Sequence, residues 1–304
     1  MRVALSMVFL LACSSNGNTG ADSGSDAGGV TGDFDPVPFG GTRPVSLYVP
    51  SAYTGAPLPL VILLHGYTAS GAVEDLYLNM KATAEAKGVF YMHPDGTIDS
   101  GGKRFWNASD ACCDFGKTGV DDSSYLAGLV AEVETRYAID TKRVYFVGHS
   151  NGGFMSYRMA CDHADIVTGI MSLAGAMPLD VSLCKPKNAV TVLEVHGTAD
   201  TTIAYDGGST TGINGAGATY PSAMTSVSDW ATLDGCATPA DTSQPPLDIE
   251  ASLAGSETSV AEYKAGCAAG NQVDLWSING AGHIPGFNAS FVPAVFDFLL
   301  AHSK

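Results

Sequence analysis

The sequence predicts an α/β fold built on a mostly parallel central sheet with helices on both faces. Three features point there: apolar runs that are short and almost unbroken, helical stretches between them, and an apolar strand that ends in glycines on either side of a serine. Unbroken apolar strands suit a sheet covered on both faces, because side chains pointing either way must then be buried. Strands alternating with helices favour parallel neighbours, since the intervening helix carries the chain back to the same end of the sheet.

Taken in order, strands are expected at 45–49, 60–64, 89–92, 144–147, 166–173, 190–195 and 273–278. Helices are expected at 72–87, 121–137, 152–163, 222–233 and 292–302. No internal repeat is evident. The 304 residues, 45% of them hydrophobic, are enough for one large domain with a full core. Fifteen basic against 31 acidic residues give a formal net charge of -16. That argues against a nucleic-acid partner, which requires a basic face, and favours a neutral substrate.

The N-terminus divides from the rest. Met1-Arg2 followed by the apolar stretch 3–11 is too short to span a bilayer and reads as a secretory signal. It ends at Leu10-Leu11-Ala12-Cys13, which resembles the lipobox of bacterial lipoproteins, with Cys13 as the lipidated residue; an ordinary signal with a chance cysteine is the alternative. Residues 14–33 are Ser-, Gly- and Asp-rich and cannot bury enough surface to fold. As a tether they would span roughly 25 Å on average. The expected organisation is therefore 1–13 signal and lipobox, 14–33 linker, and 34–304 catalytic domain.

Setting Cys13 aside leaves Cys112, Cys113, Cys161, Cys184, Cys236 and Cys267. An even number in an exported chain suggests up to three disulfides, with about 15 connectivities open. The adjacent Cys112 and Cys113 could bridge each other or bond elsewhere. No cysteine or histidine spacing points to a metal.

The stretch "VYFVGHSNGGF" places Gly148-His149-Ser150-Asn151-Gly152 between a strand and a helix, the context of a nucleophile elbow. The alternative is a structural turn in which Ser150 caps the helix. A serine nucleophile needs a histidine to take its proton and a carboxylate to orient that histidine. Of the histidines after Ser150, His163 lies on the following helix, His196 precedes any well-placed acid, and His302 ends the last helix. His283 remains, in a glycine-rich loop just after a strand. Asp200 is the expected acid, also just beyond a strand, and Asp206 is the second choice. Oxyanion donors are expected from the main-chain N–H groups of Asn151 and, in "LLHGY", Tyr67, with His65 supporting that loop. Trp106 and Tyr67 are candidate substrate walls; Trp106 could instead only pack the loop carrying Cys112 and Cys113. Asp121 and Asp122 are read as helix caps, and the Asn-Ala-Ser sequences at 107 and 288 as chance matches to a glycosylation pattern.

The strings "LLHGY", "FWNASDACC" with "GVDDSSYL", "GHSNGGFMSYRMAC", "HGTADTTIAYDGG", "YPSAMTSVSDWATLDGC" and "GAGHIPG" together resemble the secreted polyhydroxybutyrate depolymerase-like esterases of the α/β-hydrolase superfamily, which include feruloyl and acetylxylan esterases. The resemblance covers roughly residues 36 to 300. It implies an α/β-hydrolase fold, a triad of Ser150, Asp200 and His283, no metal or organic cofactor, and disulfides Cys161–Cys184 and Cys236–Cys267. Family members commonly carry tryptophan and proline after the catalytic histidine; Ile284-Pro285 stands here, which leaves the acyl pocket undefined and makes Ile284 a candidate substrate contact.

The expected function is an exported serine carboxylic-ester hydrolase acting through an acyl-enzyme. Its expected partner is an ester, with no nucleic acid, membrane contact only through the N-terminal lipid, and a monomeric state. Its expected place is extracellular or on the cell or outer-membrane surface. A serine peptidase on the same fold and a non-catalytic surface lipoprotein are the rival readings. With no surface-binding module expected after Lys304, activity should favour soluble, feruloyl or acetyl esters over crystalline polyester.

Overall fold

The computed structural model describes residues 30–210 and 217–304. Cys13, the signal and most of the expected linker lie outside the described residues. The described end of the linker leads into the sheet: Asp33 pairs with Val49, and the Gly32 N–H is donated to the Val49 carbonyl.

The elements run β1 (Asp33–Phe34), β2 (Tyr48–Val49), β3 (Leu58–Leu64), α1 (Gly71–Leu78), α2 (Met80–Lys87), β4 (Phe90–Met92), β5 (Thr97–Ile98), β6 (Arg104–Phe105), α3 (Asp122–Glu134) and β7 (Ile139–His149). They continue with α4 (Asn151–Asp162), β8 (Gly169–Leu173), β9 (Thr191–Gly197), β10 (Gly208–Ser209), β11 (Thr219–Tyr220), α5 (Ala223–Leu233), β12 (Thr258–Tyr263), β13 (Val273–Ile278) and α6 (Phe291–Leu300). The main sheet has the order β1-β2-β4-β3-β7-β8-β9-β13-β12. Pairing is parallel from β4 across to β13 and antiparallel at both edges.

Period-two alternation explains the unbroken apolar strands. Leu60, Ile62, Leu64, Phe146, Ile170 and Val192 point to one core, which Leu126, Val130, Met155, Tyr157, Val227 and Trp230 of α3, α4 and α5 close. Val61, Leu63, Tyr145, Val147, Met171 and Val195 point to the other, closed by Leu78, Met80, Phe291, Phe296 and Leu299 of α1, α2 and α6. Each such side chain contributes on the order of 1.5–3 kcal/mol when fully buried. The sheet is thereby held firmly enough to position loops at its carboxyl edge.

Several expectations are corrected. The helix expected over 72–87 is two helices, because Asn79 takes a left-handed conformation (φ 50°, ψ 46°) and its N–H closes α1 on the Asp75 carbonyl; asparagine tolerates that region better than most residues. The strand expected from 45 pairs in the sheet only at Tyr48–Val49, and the one expected from 166 begins at Gly169, after a turn closed by the Ile166 N–H on the His163 carbonyl. The edge strand β12 and the ribbons β5–β6 and β10–β11 escaped the sequence reading. Asp121 does cap α3, accepting the Ser124 N–H at 2.9 Å, but Asp122 turns inward to Arg43 and the Asn107 N–H. Disulfides join Cys161 to Cys184, Cys236 to Cys267 and Cys112 to Cys113.

Candidate active site

Ser150 sits where the central strand β7 turns into α4. Its backbone is held at φ 53°, ψ -117°, and its side chain makes no capping bond to the helix that it precedes. Non-glycine residues held at positive φ cost of order 1–3 kcal/mol, and such strain persists where the surroundings over-determine it. The surroundings here are tight: a Cβ on Gly152 would lie 2.0 Å from the Leu64 carbonyl oxygen, and one on Gly148 2.1 Å from the Gly152 carbonyl oxygen. The Ser150 N–H is donated to the Leu173 carbonyl at 2.7 Å, tying the turn to β8.

Asp200 follows β9 by a three-residue turn. Its Oδ1 accepts the N–H groups of Thr202 (2.7 Å) and Ile203 (3.0 Å), and its Oδ2 lies 2.6 Å from His283 Nδ1. Burial pushes this carboxyl up, but the ring N–H groups of His196 and His283 outweigh it and hold Asp200 well below the usual carboxylate range. Asp206, the second-choice acid, is exposed. The His283 loop meets the elbow through His149, whose Nε2–H is donated to the His283 carbonyl at 3.0 Å.

The loop after β3 passes directly beside the elbow: a Cβ built on Gly66 would stand 3.5 Å from that of Ser150. Glu74 of α1 secures it, accepting the Gly66 N–H at 3.0 Å and facing His149 Nδ1 at 3.3 Å. His65 does the supporting work expected of it. Its Nδ1–H is donated to the Gly66 carbonyl and its Nε2 accepts the Gly96 N–H, while burial lowers its pKa. Asn151 is clamped from the other side, its side-chain oxygen accepting the Trp106 N–H at 2.7 Å and its amide donating to the Trp106 carbonyl at 2.9 Å.

One expectation about substrate contacts is overturned. Trp106 is completely buried, its ring lies against His65, and its Nε1–H is donated to the His65 carbonyl, so it packs beneath the loop and forms no wall. Tyr67 is half-buried against Phe115, and Ile284 is 67% exposed beside His283.

Residues 53–212 match a family described as phospholipase/carboxylesterase. The chain belongs to the phospholipase/carboxylesterase family. Feruloyl esterase B of Piromyces equi is 27% identical over 80% of this family member and 43% of its own length. Poly(3-hydroxybutyrate) depolymerase of Ralstonia pickettii is 32% identical over 39% of the chain and 25% of its own length. The chain thus spans less than half the length of either relative. Among solved structures, an acetyl xylan esterase from Aspergillus awamori matches with a TM-score of 0.60 at 17% identity, covering 88% of this chain and 99% of that one. This carboxylesterase-family chain therefore has the α/β-hydrolase fold.

Two pairs in this family member escaped the sequence reading. Glu74 and His149 link three loops of the site, and Glu194 and His196 lie behind Asp200. The second pair did leave a signal, since two ionisable residues two apart in an otherwise apolar strand share one face of the sheet.

Proposed function

We propose that this family member is an exported serine carboxylic-ester hydrolase acting through an acyl-enzyme. The observation that carries the reading is the combination of a strained, non-capping Ser150 with an Asp200–His283 pair at 2.6 Å and a glycine-lined loop against the elbow. Ser150 Oγ attacks the ester carbonyl carbon while His283 Nε2 takes its proton. The negative charge that develops on the carbonyl oxygen is received by the main-chain N–H groups of Tyr67 and Asn151, each worth about 3–4 kcal/mol of barrier. His283 then returns the proton to the departing alkoxide, leaving an acyl ester on Ser150. Water, deprotonated by the same histidine, attacks that ester and regenerates the serine. Asp200 keeps the proton on Nδ1 and steadies the imidazolium.

The names of the relatives favour feruloyl or acetyl esters carried on polysaccharide, and exposed Ile284 would contact the acyl group. Export is supported by the disulfides, which persist in oxidising compartments. Anchoring through Cys13 completes the proposal: the wild type should enter a detergent phase, and Cys13→Ser should release it or block its processing.

The function is tested by comparing ferulate release from methyl ferulate, acetate release from acetylated xylan and hydroxybutyrate release from crystalline film. The soluble and hemicellulosic esters should turn over fastest, and Ser150→Ala should cost several orders of magnitude with the fold intact. Fastest turnover on the film, or near wild-type activity in that variant, contradicts the reading.

A further inference from the structure

Behind Asp200 lies a buried polar cluster that the reaction above does not use. His196, on β9, is 1% exposed and Glu194, two residues earlier on the same strand, is not exposed at all. His196 Nδ1 lies 3.1 Å from Glu194 Oε1, and its Nε2 lies 2.8 Å from the Ile203 carbonyl oxygen and 3.4 Å from Asp200 Oδ2. The imidazole is therefore ringed by acceptors. The Ile203 carbonyl has no proton to give, so Nε2 must carry one. Asp200 already accepts two main-chain N–H groups and the His283 ring, and so has none to give either.

That leaves Nδ1 and Glu194, between which one proton must stand. Glu194 Oε2 and the neighbouring hydroxyls of Ser172 and Tyr157 are all buried and have no other hydrogen-bond partner, so a proton turned to the carboxylate from either hydroxyl favours its anionic form. Burial pushes Glu194 up and His196 down, yet the bonds from Asp200 and Glu194 outweigh burial at the imidazole and raise it to about 9. The ionisable groups facing the ring are Glu194 from β9, Asp200 from the loop beyond it, and Tyr205, whose ring stands edge-on at 5.7 Å. Its neighbour across the sheet on β13 is Ser277, which carries no charge. With a carboxylate at each ring nitrogen and no second cation facing it among the described residues, the doubly protonated form sets one cation between two anions.

We propose that His196 is a positioning residue: an imidazolium, held by Glu194, that fixes Asp200 and offsets part of its charge at His283. The proposal rests on the esterase reading for its kinetic consequence but not for the protonation state. His196 and His283 touch the same Asp200 oxygen, so their nearest nitrogens stand roughly 6 Å apart or less. At that separation a unit charge displaces the protonation of its neighbour by about 0.5 to 2 pH units, between watery and protein-like screening. The sign is fixed by charge: a cation behind Asp200 makes a proton on His283 less favourable, so more of the base is free at neutral pH.

Two measurements test this. In the Ser150→Ala protein, nitrogen NMR of the histidine rings, with His196 assigned by comparison with a His196→Gln variant, should show both His196 nitrogens protonated at pH 7 and still so at pH 8. A bare ring nitrogen at pH 7 overturns the proposal, and this measurement needs no turnover, so it decides the matter even if the protein hydrolyses no ester. In the active protein, His196→Gln keeps a donor for Ile203 but loses the charge. Its kcat should fall about 10²-fold, as expected for a displaced reacting group, with KM within about twofold, and the acid midpoint of kcat/KM should move up by about 0.5 to 2 units. Glu194→Gln, which removes the anion that holds the second proton on His196 while keeping the shape, should leave His196 neutral, so that the cation behind Asp200 is lost and the midpoint moves the same way; it serves if His196→Gln fails to fold. A fall in thermal stability with the acid midpoint unmoved in both variants would reduce the pair to core packing and overturn the assignment.

Discussion

His283 Nδ1 lies 2.6 Å from Asp200 Oδ2, while the other oxygen of that carboxylate is taken up by the N–H groups of Thr202 and Ile203. The carboxylate cannot rotate without breaking two main-chain bonds, so the imidazole tautomer is fixed from behind. Asp200→Asn would present an amide N–H or a weaker acceptor to the ring and favour the wrong tautomer. Its kcat should fall about 10³–10⁴-fold with little change in KM or melting temperature. Asp206→Asn should leave both constants near wild type; a large loss there would show that the acid had been misassigned.

Stability should depend on pH in two separate windows. Asp200 is held below its ordinary value, so its contribution is present above about pH 4 and is lost as acid protonates it. His196 is raised from 6.5 to about 9, so its contribution is complete below about pH 6.5 and is lost as pH rises through 9. Counting the shared proton on Glu194 gives the same sign, because the folded pair keeps a proton that the unfolded chain releases. Melting temperature should decline from pH 6.5 to 9, and His196→Gln should flatten that decline; an equal slope in the variant would show another group to be responsible.

Trp106 separates packing from recognition. Fully buried, with its Nε1–H donated to the His65 carbonyl, it should cost about 3–5 kcal/mol of stability when replaced by alanine. Trp106→Phe should retain most of the stability and leave KM for methyl ferulate near wild type. A selective rise of KM in the phenylalanine variant, with stability unchanged, would return Trp106 to the substrate surface.

Glu74 tests whether the loops are held as a set. Glu74→Leu removes the acceptor for the Gly66 N–H and the partner of His149, whose other nitrogen holds the His283 carbonyl. Activity should fall about ten- to a hundredfold through kcat, while Glu74→Gln, which can still accept from Gly66, should recover most of it. Equal loss in both variants would assign the effect to charge, not to positioning.

Much of this was legible because the responsible physics is local or periodic. Strands β3, β7 and β9 announced themselves as apolar runs covered on both faces, and the glycines around Ser150 were required by contacts as close as 2.0 Å. Asp200 and His283 were legible because each directly follows a strand of the parallel sheet. What stayed hidden depends on distant partners. Nothing local tells that Trp106 lies beneath the loop after β3, or that Glu74 reaches the Gly66 N–H. The break at Asn79 was hidden by good helix formers on both sides, and the edge strand β12 by its mixed composition. His196 was set aside because no well-placed acid was seen before it in the chain, whereas its partners are Glu194, just before it on the strand, and Asp200 beyond the strand.

The central claim is that Ser150 is the nucleophile, and the most direct measurement is peptide mass spectrometry after reaction with a fluorophosphonate. The account predicts one phosphonyl adduct, on Ser150, absent from Ser150→Ala and much slower to form in His283→Ala. No adduct on folded protein, or an adduct on another residue that persists in Ser150→Ala, would contradict it.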